Sequence, residues 1–253
     1  MPYRKEQFSN GEIYHVVSRA LDNNLIFKDI NDYYRGIFSI YEFNNADPVE
    51  IWKRRRDRMI EKKKEKMWEA MWEVGSPPVS GSQTIFTADK RDKFLDILVF
   101  CFMPNHIHLL LKQIKENGVT NFMKKLGSGY GSYFNKKYNR KGYVFQNRFK
   151  DVHIENDNQL KVVFTYIHTN PISLIEPGWK ENGIKDKEKT KAFLEEYKWS
   201  SYLDYIDKKN FPSITEREFL TEVMGGAEGC KSAINNWIYY KHEISKFSNI
   251  LLD

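Results

Sequence analysis

The chain is poor in cysteine, with two in 253 residues. Cys101 and Cys230 lie far apart, and neither sits in a CxxC or Cys/His metal spacing. That argues against a thiolate metal centre and makes a reducing cytoplasm the expected home. No stretch reaches the roughly 18 apolar residues of a membrane span. The N-terminal residues MPYRKEQFSNGEIYHVV hold none of the apolar core of a signal peptide. A soluble, intracellular protein with no membrane partner is therefore expected. A GxxxxGK[ST] phosphate loop is also missing, as expected of chemistry that needs no ATP. No internal repeat stands out.

What the chain does have is positive charge and aromatic surface. A formal net charge of +6, a pI near 9.0 and 15% aromatic residues point to an acidic partner, and nucleic acid is the commonest one for such a surface. The length allows a full core, and one domain with decorations is expected. Ile13 to Ser18 is short and β-branched and follows Asn-Gly, so it reads as a first strand. Asp29 to Asn44 reads as a helix, opened by acidic caps and carrying Tyr33, Ile37, Ile40 and Tyr41 at helical spacing. Lys93 to Lys112 reads as two strands broken at Met103-Pro104-Asn105.

Val119 to Tyr138 reads as a helix interrupted by Gly127, Gly129 and Gly131. These glycines lack a preceding strand, so a phosphate cradle is discounted in favour of close approach by a DNA backbone or another helix. Val144 to Ile154 reads as a further strand, and Asp157 opens a helix. Between the first helix and the strand pair, residues 46 to 90 form an insertion with a basic helix, Lys53 to Lys66, inside a Lys- and Arg-rich stretch, Glu50 to Val74, in which Trp and Met are interleaved. The expected division is a domain over 1–180 containing that insertion, and a helical C-terminal extension over 181–253 packed on it, with helical stretches near Ala192 to Tyr205 and Glu216 to Ile244.

Two motifs carry chemistry. If Leu95 to Lys112 is extended, His106 and His108 project from one face while Ile107 points to the other, and two imidazoles on one strand can share a divalent ion. If Asn158 to Leu174 is helical, Tyr166 and Asn170 stand one turn apart, so a phenol and an amide oxygen approach the same point. His168, two positions from Tyr166, turns off that face. It is read with His15 as structural or solvent-facing.

The segments YHVVSR, LIF with DINDYY, FCFMPNHIHLLL, GYVFQNRFK, YIHTNPI and YKWSSY, taken in order over roughly residues 10 to 206, resemble the REP-associated branch of the single-tyrosine HUH transposases, of the insertion-sequence-200-like kind. The resemblance implies an α+β fold: an antiparallel sheet flanked by helices, of RRM-like or ferredoxin-like arrangement. It implies His106, His108 and Asn170 as ligands of Mg²⁺ or Mn²⁺ and Tyr166 as the nucleophile. It implies single-stranded, hairpin-bearing DNA as partner, cleaved through a 5′-phosphotyrosine that leaves a free 3′-hydroxyl. Arg19, Arg148 and Lys150 fall in the shared segments, and with Lys124 and Lys125 they are the expected phosphate contacts.

The pattern is departed from at Arg19-Ala20, where many relatives place glycine, and in the long insertion. A domesticated binding protein that grips DNA without moving it is the alternative reading. An RNA-binding module would instead put stacking aromatics where this chain has histidines. Monomer and homodimer are both open.

Overall fold

The structure is a computed structural model that describes residues 7–50, 89, 91–146, 148–239 and 251–252, with scattered positions between 53 and 63. The expected basic helix and the rest of the insertion fall mostly outside the described residues.

Four strands form one antiparallel sheet: β1 (Ile13–Arg19), β2 (Leu95–Met103), β3 (His106–Gln113) and β4 (Lys150–Ile154), in the order β2-β3-β1-β4. Helix α1 (Ile30–Phe43) joins β1 to β2, α2 (Gly118–Lys137) joins β3 to β4, and α3 (Asp157–Thr169) follows β4. This βαββαβ succession with β1 and β3 at the centre is the ferredoxin-like arrangement. Pro104 and Asn105 occupy the β2–β3 turn, where a proline has no ladder bond to lose.

Directly paired residues share a sheet face, so the strand register sorts the side chains. Val16, Leu109 and Ile107 join Phe100, Phe102 and the buried side chains of α1 and α2 in one apolar cluster. His15, Val17 and Arg19 pair with Leu110, His108 and His106 on the other face, where α3 packs. At the start of α1, Asp29 accepts from the Asn31 and Asp32 amides, forming a capping box. Asp32 is fully buried, and it accepts from Lys137, Tyr133 and Tyr138, tying α1 to α2.

Helix α2 is continuous, not interrupted at its glycines, because tertiary packing outweighs their weak helix propensity. Gly129 is the one that packing demands: an added Cβ would lie 2.1 Å from the Phe43 ring, whereas one at Gly127 would meet nothing within 4 Å. Strand β4 is shorter than the reading from Val144. Only Phe145, in an isolated bridge to Ala20, pairs before Lys150 among the described residues.

After α3, a 3₁₀ turn (Asn170–Leu174) leads to the short helix α4 (Trp179–Asn182), then α5 (Lys187–Leu194), α6 (Tyr202–Tyr205), α7 (Glu218–Met224) and α8 (Gly226–Tyr239). The helical reading of 192–205 is corrected between its ends, because Trp199 to Ser201 run along the edge of β2. Phe102 N–H donates to Trp199 O, Ser201 N–H donates to Phe100 O, and the Tyr197 and Tyr205 hydroxyls donate to Phe102 O and Leu98 O. The outer edge of the sheet is thereby occupied, which guards it against pairing with another chain. Up to Tyr239 the helix read over 216–244 is two, broken at Gly225 and Gly226, both at positive φ, and residues 240–244 lie outside the described residues.

Candidate functional site

The register just described sets three imidazoles on the α3 face of the central strands. His106 and His108 alternate along β3 with ring centroids 4.8 Å apart. His15, two pairs along β1, stacks on His108 at 5.4 Å, and its Nε2 lies 3.1 Å from His108 Nδ1. Tyr166 closes the group from α3, its ring edge-on to His15 at 5.9 Å and to His108 at 5.7 Å. His15 is thus neither solvent-facing nor remote. It is fully buried against His108, and only the pairing of β1 with β3 reveals that neighbour.

Hydrogen bonds engage one nitrogen of each β3 imidazole. His106 Nδ1 donates to the Asn105 side-chain oxygen at 2.6 Å, leaving the lone pair on Nε2. In His108, Nδ1 is engaged by His15, while the buried Nε2 has no hydrogen-bond partner among the described residues. Burial, reinforced by His106, His15, Arg19 and Lys180, pushes the pKa of His108 well below the usual histidine value, so the ring is a neutral donor. An orphaned, buried nitrogen beside a second imidazole fits a metal ligand pair whose other ring nitrogens are fixed by neighbours. Among the described residues, no group of three or more His, Cys, Asp or Glu side chains is placed to hold an ion.

Asn170 is buried one turn after Tyr166, and it keeps helical geometry although a residue before proline is biased away from it. It stays in the right-handed helical region, with φ −50° and ψ −39°, and its Nδ2 donates to the Tyr166 carbonyl at 3.0 Å. Pro171 opens the 3₁₀ turn, where its missing N–H costs nothing. The amide nitrogen is used on its own helix.

Positive charge surrounds the imidazoles unevenly. Arg19 and Lys180 both bear on His108, and Lys180 donates to the Tyr166 hydroxyl at 3.4 Å. Arg19 also donates to the carbonyl of Leu252 at 3.4 Å. Lys150 is exposed on β4 opposite Val17, and so on the imidazole face, with Arg148 exposed two residues before it. Lys124 and Lys125 lie on α2, across the sheet. Lys125 is spent on the chain itself, donating to the carbonyls of Asn45, Ala46 and Asp47, while Lys124 lines a groove of about 480 Å³ with Gly127, Ser128 and Tyr143.

His168 is turned away from the imidazole group, as its spacing predicts. It is fully buried against Phe164, Tyr202 and Tyr205, and its Nε2 bonds Ser201 Oγ at 2.8 Å. Lys180 is the residue that sequence reading missed. It lies in EPGWKENG, a polar stretch with no periodicity, and nothing in that stretch signals its approach to Tyr166.

A ferredoxin-like sheet with two strand histidines facing a helix tyrosine defines a class of α+β domain. Residues 45–170, about half of the chain, match the family model described as Transposase IS200 like. The chain belongs to the IS200-like transposase family, whose members process DNA. One solved structure, described as that of the REP-associated tyrosine transposase bound to a REP hairpin, aligns with 84% of this chain and 89% of its own. The identity is 12% and the TM-score 0.43, a likeness too slight to carry an argument. No curated protein matches the chain. Among the described residues no helix is long and apolar enough to cross a membrane.

Proposed function

We propose that this chain is a metal-dependent strand transferase for single-stranded, hairpin-bearing DNA, acting through a 5′-phosphotyrosine on Tyr166. The observation that carries the reading is the convergence of Tyr166 with His106 and His108 from α3 and β3 onto one sheet face. A phosphodiester is attacked in line: Tyr166 Oη forms the bond to phosphorus and the bond to the 3′-oxygen breaks, so the link's energy is kept for rejoining.

His106 and His108 would hold the cation through Nε2, with the Asn170 side-chain oxygen as the third ligand. A bound divalent ion would supply polarisation of a non-bridging oxygen and offset charge in the transition state. Magnesium prefers an all-oxygen shell, so two imidazoles favour Mn²⁺ over Mg²⁺. Arg19, Arg148 and Lys150, on or beside the same face, would contact the backbone of the strand being cut. Lys124 would contact DNA only along the α2 groove, and Lys125, already held by three carbonyls, is the weakest of the expected contacts. A REP-like hairpin as target, the cytoplasm as location and a helical extension beyond residue 180 belong to the same reading.

One observation favours the alternative of a binding protein that no longer moves DNA. Tyr166 exposes only 2% of its surface, so a phosphate reaches Oη only after the groups over it shift. Labelled single-stranded hairpin DNA incubated with wild type and Tyr166→Phe, with Mn²⁺ or Mg²⁺ and with EDTA, separates the two readings on a denaturing gel. A covalent adduct that needs metal and disappears in Tyr166→Phe is the expected result. Retained binding with no adduct on any hairpin, including the sequence flanking the coding region, would replace the enzyme with the binding protein.

A further inference from the structure

Lys180 reaches the reacting oxygen by a route built into the chain between α3 and α4. The 3₁₀ turn at Asn170–Leu174 reverses direction after α3, and Gly178 takes φ +78°, a left-handed conformation that glycine adopts without strain. Trp179 is then driven into the core with 2% of its surface exposed, and its carbonyl accepts the Gly183 N–H at 2.9 Å. Glu176 pins the far side of the loop by accepting from the amides of Lys185 and Asp186 and from the Thr190 hydroxyl. With both flanks fixed, Lys180 lies back over the tyrosine helix. Its Nζ is 4.9 Å from the centroid of the Tyr166 ring and 3.4 Å from Oη.

The ring contact and the hydrogen bond hold a positive charge beside Oη, the oxygen at which charge changes hands in the proposed reaction. We infer that Lys180 is a catalytic residue of the strand transfer, its ammonium stabilising negative charge on Tyr166 Oη. The inference rests on the reading of Tyr166 as nucleophile.

In cleavage, the Tyr166 hydroxyl gives its proton to solvent, Oη bonds to phosphorus, the bond to the 3′-oxygen breaks, and that oxygen takes a proton from solvent. In rejoining, a 3′-hydroxyl attacks the same phosphorus and Oη departs with the electron pair. The Lys180 ammonium stays charged through both directions and lies beside the oxygen that carries the pair. A cation aimed at developing charge in a water-poor site accelerates both directions without tightening the bound ground state.

The test uses the full chain and labelled single-stranded hairpin oligonucleotides drawn from the sequence flanking its own coding region, with Mn²⁺. Adduct formation and rejoining are timed under single turnover, and affinity is read by electrophoretic mobility shift, for wild type, Lys180→Met, Lys180→Gln and Lys180→Arg. Both rates are expected to fall about 10- to 100-fold in Lys180→Met and Lys180→Gln, with affinity within threefold of wild type, and to recover largely in Lys180→Arg. Thermal melting shows which variants are folded, and either neutral variant suffices.

Wild-type rates in a folded neutral variant, or a rate loss matched by lost affinity, would overturn the role of Lys180 and leave Tyr166 standing. No adduct in the wild type would remove the tyrosine reading, and Lys180 with it.

Discussion

On the α1 and α2 face of the sheet, Val16, Ile107 and Leu109 meet Phe102, Phe43 and Phe122 in one apolar cluster. On the α3 face the same strands supply His15, His106, His108 and Arg19 to a space shared with Tyr166 and Lys180. One alternating pattern thus builds two different interiors. The apolar face is filled by shape and volume between strands and helices, whereas the imidazole face gathers three imidazoles and leaves His108 Nε2 without a hydrogen-bond partner among the described residues, a cost of order 1–3 kcal/mol.

Substitutions on the two faces should therefore separate function from stability. The largest effect is expected at His15. His15→Phe keeps the ring volume but removes the partner of His108 Nδ1. Mn²⁺ affinity of the DNA-free protein, measured by calorimetry, should then fall about 10- to 100-fold, with a stability loss of about 1–3 kcal/mol from the orphaned His108 Nδ1. Unchanged Mn²⁺ affinity would mean that His15 is packing alone.

Acid should act next. Burial holds the pKa of His168 down to about 3, partly offset by the Phe164 carbonyl, against an ordinary value of 6.5. The folded value is the lower one, so the unfolded chain binds the extra proton. Stability is full above about pH 6.5 and is lost as pH falls towards 3. The loss from His168 between pH 7 and pH 5 should be about 2 kcal/mol by urea unfolding. His108 adds a loss of the same sign in metal-free protein. Pairing His168→Leu with Ser201→Ala should flatten part of this slope; a slope equal to wild type would refute the assignment.

The smallest effects belong to the glycines of α2. Gly129→Ala drives a methyl into the Phe43 ring and should cost about 1–3 kcal/mol. Gly127→Ala, into open space, should gain up to about 1 kcal/mol. Neither should alter Mn²⁺ affinity, and a change at Gly129 would show that the two faces are coupled.

Much of this was legible before folding. The alternation of β1 and β3 announces the strands, the capping residues at Asp29 announce α1, and the pairing of His106 with His108 on one face follows from a period of two. Other features were not legible, because they depend on partners distant in sequence. His15 reads as an isolated histidine until β1 pairs with β3. Lys180 reads as solvated charge until Trp179 is buried beside it. The stretch around Trp199 reads as helix until the open edge of β2 offers its backbone groups.

The sequence by itself determined the strand and helix periods, the family, and the residue types able to hold a metal and attack phosphorus, because each of these is local or periodic. Only the tertiary structure decided which side chains meet: His15 with His108, Lys180 with Tyr166, Lys125 with carbonyls near residue 46 instead of with solvent. The reason is physical. Period fixes the face on which a side chain stands, but its neighbour across the sheet is set by register and by the burial of residues far away in the chain.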